Sequence, residues 1–152
     1  MPINSEAQII ISDTSCLIAL TNIGYLTILQ QLYRTVLITP EVASEYDEPL
    51  PEWISIKTVI DTAKINAFNR FIDLGESSAI ALAIETEGAV LIVDDSEARK
   101  FAMDLGLKIT GTLGVLIRAH NQGIISDLGD SILRLKNIGF YLPANIDELM
   151  LL

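Results

Sequence analysis

Four short apolar runs rich in β-branched residues, at Gln8–Ser12, Thr35–Thr39, Val90–Val93 and Leu107–Thr110, are separated by longer stretches with helical spacing. Strands joined through helices pair in parallel, and a parallel sheet needs both faces covered. The alternation therefore predicts an α/β fold with a central, mainly parallel sheet.

Local signals mark the helices. Thr39-Pro40 reads as a cap followed by proline at the first helical position. Within Gly75–Thr86, Ala79, Ile80, Ala83 and Ile84 recur at helical spacing, and Gly88 supplies a stop. Gly111–Gln122 and Asp127–Asn137 predict two helices joined around Gly123, Asn145–Leu152 a last one, and Thr14–Tyr33 two short buried ones. Asp47–Glu52 reads as an exposed turn and Ile54–Val59 as a minor strand. No repeat or linker divides the 152 residues, so a single domain over 1–152 is expected.

Ten basic residues against twenty acidic ones give a net charge of −10, and no basic residue precedes Arg34. Such a chain does not hold nucleic acid by massed phosphate neutralisation. Action on a polynucleotide would require bound cations, a few placed Arg or Lys, or a basic partner. Cys16 is the one cysteine, Met1–Glu6 is polar, and the apolar run after it breaks at Ser12-Asp13, which together predict a cytoplasmic protein without an export leader. Thr14–Tyr33 is uncharged, but Asn22, Gly24, Gln30 and Gln31 interrupt it, so no membrane span is expected.

The chemistry is suggested by acids at strand ends. IIISDTS delivers Asp13 after one apolar run, and VLIVDDSEARK delivers Asp94 and Asp95 after another. In an open parallel sheet, ligands bind outside the carboxyl ends of the strands. Glu45 in TPEVASEY and Glu76 in LGESSAIALAIE are placed to join them from helices. Singly, each acid has an ordinary role: Asp13 and Asp95 as helix caps, Glu76 at a helix amino terminus, Glu45 on a solvated surface. Together they repel, by roughly 3 kcal/mol per pair at about 5 Å and an effective dielectric of about 20. A cation or raised pKa values would relieve that cost. Carboxylates without Cys or His select Mg²⁺ or Mn²⁺, and His120 reads as a packed or surface histidine rather than a ligand. Metal-assisted phosphodiester hydrolysis is the matching chemistry.

The ordered series IIISDTS, TPEVASEY, LGESSAIALA and LIVDDSEAR resembles the PIN domain, especially the ribonuclease toxins of VapBC toxin–antitoxin pairs. GLKITGTLGVLIRAHNQGII is similar to a subgroup with a Gly-Thr-Leu-Gly-Val-Leu segment. The resemblance implies a three-layer α/β/α fold and a Mg²⁺- or Mn²⁺-dependent endoribonuclease. It makes Asp13 the first metal ligand, Glu45 a helix-borne second acid, Glu76 the counterpart of the family's frequent third aspartate, and Asp94-Asp95 the fourth position. Which of that pair faces the metal is open, with Asp95 taken first and Asp94 assigned to backbone or neighbouring polar groups. Thr14 and Ser15 either bond the ligand carboxylates or metal waters, or cap a helix. Arg99 either holds substrate phosphate or, the preferred reading, pairs with an acid. A homodimer using part of the apolar Thr14–Tyr33 surface is expected, with a separately encoded antitoxin bringing Arg or Lys to the acids. Two other classes compete: a non-catalytic PIN-fold module that binds RNA or protein, and a metal-dependent phosphotransfer protein.

Overall fold

Ile10 and Ile11 are neighbours in the first strand, both fully buried, and they enter different cores. The same division runs across the sheet: Ile10, Ile38 and Ile92 join one apolar cluster, Ile11, Leu37 and Leu91 the other. Strand side chains alternate between faces, so continuous apolar runs require a layer of helices on each side. The computed structural model describes residues 9–146.

The strands are β1 (Ile9–Ser12), β2 (Thr35–Ile38), β3 (Ile54–Ile56), β4 (Ala89–Ile92) and β5 (Ile109–Thr110). They pair in the order β3-β2-β1-β4-β5, parallel throughout, with Ile11 opposite Leu37 on one side and Leu91 on the other. The helices are α1 (Thr14–Ile23), α2 (Ile28–Leu32), α3 (Pro40–Tyr46), α4 (Thr62–Phe68), α5 (Leu74–Glu85), α6 (Ser96–Asp104), α7 (Thr112–Asn121) and α8 (Leu128–Asn137). Residues of α1, α2, α3, α7 and α8 complete the first core, and residues of α4, α5 and α6 the second. This is the three-layer α/β/α arrangement that the resemblance implied.

Some details differ from the sequence reading. The minor strand stops at Ile56 and forms the sheet edge, and β5 is only two residues long. Helix α4 carries no clear sequence signal, since only Ile65 of its seven residues is buried and the apolar periodicity is correspondingly weak. The two short helices expected in Thr14–Tyr33 are present, separated at Gly24, whose φ of 83° suits a residue without a side chain. Leu17, Leu20, Ile23, Ile28, Leu29 and Tyr33 are buried, Tyr25, Leu26 and Leu32 pack against the same core, and Ile18 alone of the ten large apolar residues there is exposed. The apolar excess that suggested a dimer face is thus mostly absorbed by α7 and α8. The last expected helix lies largely outside the described residues.

Strand order positions the site. The chain builds outward from β1 to β2 and β3, then returns to the opposite side of β1 with β4. Such a reversal leaves a crevice at the carboxyl ends of the two diverging strands, here β1 and β4.

Candidate active site

Asp13 follows β1 and caps α1, and it is only 2% exposed. Its Oδ1 accepts the Cys16 N–H at 2.9 Å, and its Oδ2 accepts the Asp94 N–H at 3.2 Å and, at 3.1 Å, shares the single Ser15 hydroxyl proton with Asp94. Despite these donors, burial first and the Asp94 charge second push the Asp13 carboxyl well above the ordinary carboxylate range. Desolvation and like charge outweigh three hydrogen bonds.

Asp94 is the member of the pair that approaches Asp13. Its Oδ1 accepts the Thr112 N–H at 2.7 Å, and its Oδ2 accepts the hydroxyls of Thr112 at 2.6 Å and Ser15 at 2.7 Å. The expected bonding of Asp94 to backbone and neighbouring polar groups is present, yet Asp95 does not take the inward place. Asp95 is exposed and caps α6 through the Ala98 N–H at 3.0 Å. The reason is that β4 ends at Ile92, and the backbone of the next residues is bonded to its neighbours: Val93 N–H to Thr110 and Asp94 N–H to Asp13. Asp95 then starts the helix.

Glu76 lies in the first turn of α5, behind the Asp73 cap that accepts its N–H at 2.8 Å. Burial, then Asp73, then Asp95 raise its carboxyl to about 7. Glu76, Asp94 and Asp95 share the wall of a cavity of about 800 Å³, which Arg99, Ile109 and Leu113 continue. Glu45 is tied elsewhere: Oε1 accepts the Thr14 hydroxyl at 2.6 Å and Oε2 the Gly75 N–H at 3.0 Å, joining α1, α3 and α5. Thr14 therefore serves Glu45, and Ser15 serves Asp13 and Asp94.

Arg99 corrects its preferred reading. It donates to the Val93 carbonyl at 2.9 Å and has no ion pair among the described residues. His120 bonds its own neighbourhood, with Nδ1 3.3 Å from the Ile125 carbonyl. Among the described residues no three His, Cys, Asp or Glu side chains gather to hold one ion. The donor chemistry still fits a hard cation, because Mg²⁺ is commonly held by one or two carboxylates with water filling the rest. Asp13 and Asp94 supply that pair; burial first and the Asp94 charge second raise the Asp13 carboxyl, and a cation between the two would offset the second of these.

Thr112, Gly111, Asp73 and Gly75 join the site without a place in the acid pattern of the sequence. Asp73 with Glu76 forms the D-x-x-E pattern of a helix start, so that signal was available. Gly75 and Gly111 stand in close contacts: a Cβ on residue 75 would lie 2.7 Å from Glu45 Cδ and displace that side chain, and one on residue 111 would lie 3.0 Å from both Asp94 Oδ1 and Arg99 Nη1. Only the folded chain brings those partners together.

No helix among the described residues is long and apolar enough to cross a membrane. No curated protein and no solved structure matches the chain. A family model described as a PIN domain matches residues 9–151, nearly the whole length. With its all-parallel sheet and the acids at the β1 and β4 ends, the chain belongs to the PIN-domain family.

Proposed function

We propose that this protein is a Mg²⁺- or Mn²⁺-dependent endoribonuclease and the toxin of a toxin–antitoxin pair. PIN domains are generally nucleases, and the observation that carries the reading is the juxtaposition of Asp13 and Asp94, joined by the Ser15 hydroxyl at the crevice between β1 and β4. Asp13 and Asp94 would hold the cation, with Glu76 and Asp95 facing it across water. When bound, the ion supplies an acidified water and positive charge for the phosphate oxyanion. Ser15 and Thr112 fix the Asp94 carboxylate, and Glu45 braces α1 against α5 through Thr14 and Gly75, the neighbours of Asp13 and Glu76 in the chain. Glu76, with its carboxyl near 7, is suited to accept or return a proton close to neutral pH. Arg99, free of an acidic partner among the described residues, is suited to substrate phosphate. The family resemblance, rather than any apolar face left open in Thr14–Tyr33, supports a cytoplasmic homodimer, inhibited by a separately encoded antitoxin whose Arg or Lys neutralises the acids.

Incubation of the purified chain with single-stranded and structured RNAs in Mg²⁺, Mn²⁺ or EDTA tests this. Metal-dependent cleavage lost in Asp13→Asn supports it, and intact RNA under every condition removes it. The dispersed acids favour a second reading, a non-catalytic PIN-fold RNA-binding module, which the same experiment would reveal as binding without cleavage.

A further inference from the structure

The turn between α4 and α5 presents an aromatic ring beside the acidic groove. Ile72 points inward and is 8% exposed, whereas the adjacent Phe71 is 69% exposed. Both N–H groups bond the Phe68 carbonyl, at 3.1 and 2.9 Å respectively, which fixes the turn. The Phe71 ring stacks on Phe101 with centroids 6.1 Å apart and planes at 28°, and Phe68 meets Phe101 edge-on at 5.1 Å. A single exposed apolar side chain is ordinary. Here, however, Asn69, Arg70 and Phe71 wall a groove of about 440 Å³ that Asp73, Glu76 and Asp95 also line. Arg70 makes no ion pair among the described residues.

We propose that Phe71 is a stacking platform for an unpaired nucleobase of a single-stranded nucleic acid, with Asn69 and Arg70 as its polar neighbours. The inference deepens the nuclease reading, on which the choice of ligand rests. With net charge −10 and four carboxylates lining this groove, the contact offered here is to the uncharged face of a base, and among the described residues Arg70 is the one cation beside it for the flanking phosphate. Stacking on an aromatic ring is insensitive to that charge and tolerant of sequence. A paired base has both faces covered by its neighbours, so a duplex is excluded from this subsite.

A short single-stranded RNA carrying one fluorescent adenine analogue, titrated into the full chain in EDTA, reads stacking as quenching without cleavage. The parent should quench it, Phe71→Trp should retain quenching, and Phe71→Ala should weaken binding about tenfold, within the usual range for one lost stack. Melting temperatures should stay near the parent's, because the ring is mostly in water, and a duplex version should not be quenched. No quenching by the parent, or equal binding by Phe71→Ala, overturns the proposal. Loss of quenching together with loss of a dimer overturns it too, since a second copy then covers the ring. The two readings separate cleanly. Quenching through Phe71 without metal-dependent cleavage keeps the subsite and removes the nuclease. Cleavage with an unchanged KM in Phe71→Ala keeps the nuclease and removes the subsite.

Discussion

Glu45 reaches from α3 to the amino end of α5 and accepts the Gly75 N–H at 3.0 Å, in space that any side chain on residue 75 would occupy. The carboxylate caps an otherwise unpaired donor and meets the positive end of the helix dipole. Gly75→Ala should push the flexible Glu45 side chain away, losing a charge-assisted bond of about 1.5–3 kcal/mol while gaining up to about 1 kcal/mol of helix propensity. The expected result is a small fall in melting temperature, a few degrees for a chain this size. Cleavage should drop by about tenfold, the scale of a displaced supporting group. Calorimetry and a cleavage assay check both halves, and wild-type cleavage in this variant would deny Glu45 its bracing role.

Asp13→Asn should abolish metal-dependent cleavage without unfolding the metal-free protein. The raised carboxyl of Asp13 means that the fold favours its neutral form, so its contribution to stability is present at acid pH and is lost as pH rises through the folded pKa. The amide removes this loss. It leaves the Asp94 N–H poorly satisfied, but that bond already failed to outweigh burial and repulsion in the parent. At about pH 8 the metal-free variant should melt no lower than the parent, and at about pH 5 this advantage should disappear. Millimolar Mn²⁺ should raise the melting temperature of the parent and not of the variant, by mass action on the folded state. A variant that responds to Mn²⁺ as the parent does removes Asp13 from the site.

Glu76 gives a second pH signature. Its carboxyl stands at about 7 instead of 4.5, so its share of stability is whole below pH 4.5 and is lost as pH climbs through 7. Glu76→Gln should flatten that decline in a plot of melting temperature against pH, by a small amount because the side chain is half-buried and its interactions are screened. Asp95→Asn should lower the Glu76 midpoint in a carboxyl NMR titration, since the Asp95 charge helps to raise it. A midpoint unmoved by this substitution would show that the two carboxyls do not face one another.

The adjacent aspartates should separate by function. Asp94→Asn should remove cleavage, because Asp94 shares Ser15 with Asp13. Asp95→Asn should retain the helix cap, which asparagine fills well, and should reduce cleavage less. Asp95→Ala should additionally cost about 1 kcal/mol of stability. Parallel kinetics and thermal melts of the three variants decide it, and greater damage from Asp95→Asn than from Asp94→Asn would reverse the assignment.

The architecture was legible because its signals are local. Runs such as Ile9–Ser12 and Ala89–Ile92 declare buried strands by composition, and Thr39-Pro40 declares a helix start by backbone chemistry. Asp13 and the Asp94-Asp95 pair stood out for the same reason, as charges at the ends of apolar strands. What those acids face was not legible. Asp94 and Asp95 are chemically identical neighbours, and only the pairing of β4 between β1 and β5 brings Thr112 and Ser15 to the first and leaves the second to cap α6. Gly75 looked like any helix-start glycine until Glu45, thirty residues earlier, was seen in the space its missing side chain leaves. Periodicity and caps are properties of neighbouring residues and can be read along the chain, whereas a hydrogen bond between distant segments exists only once the strand order has set their distance.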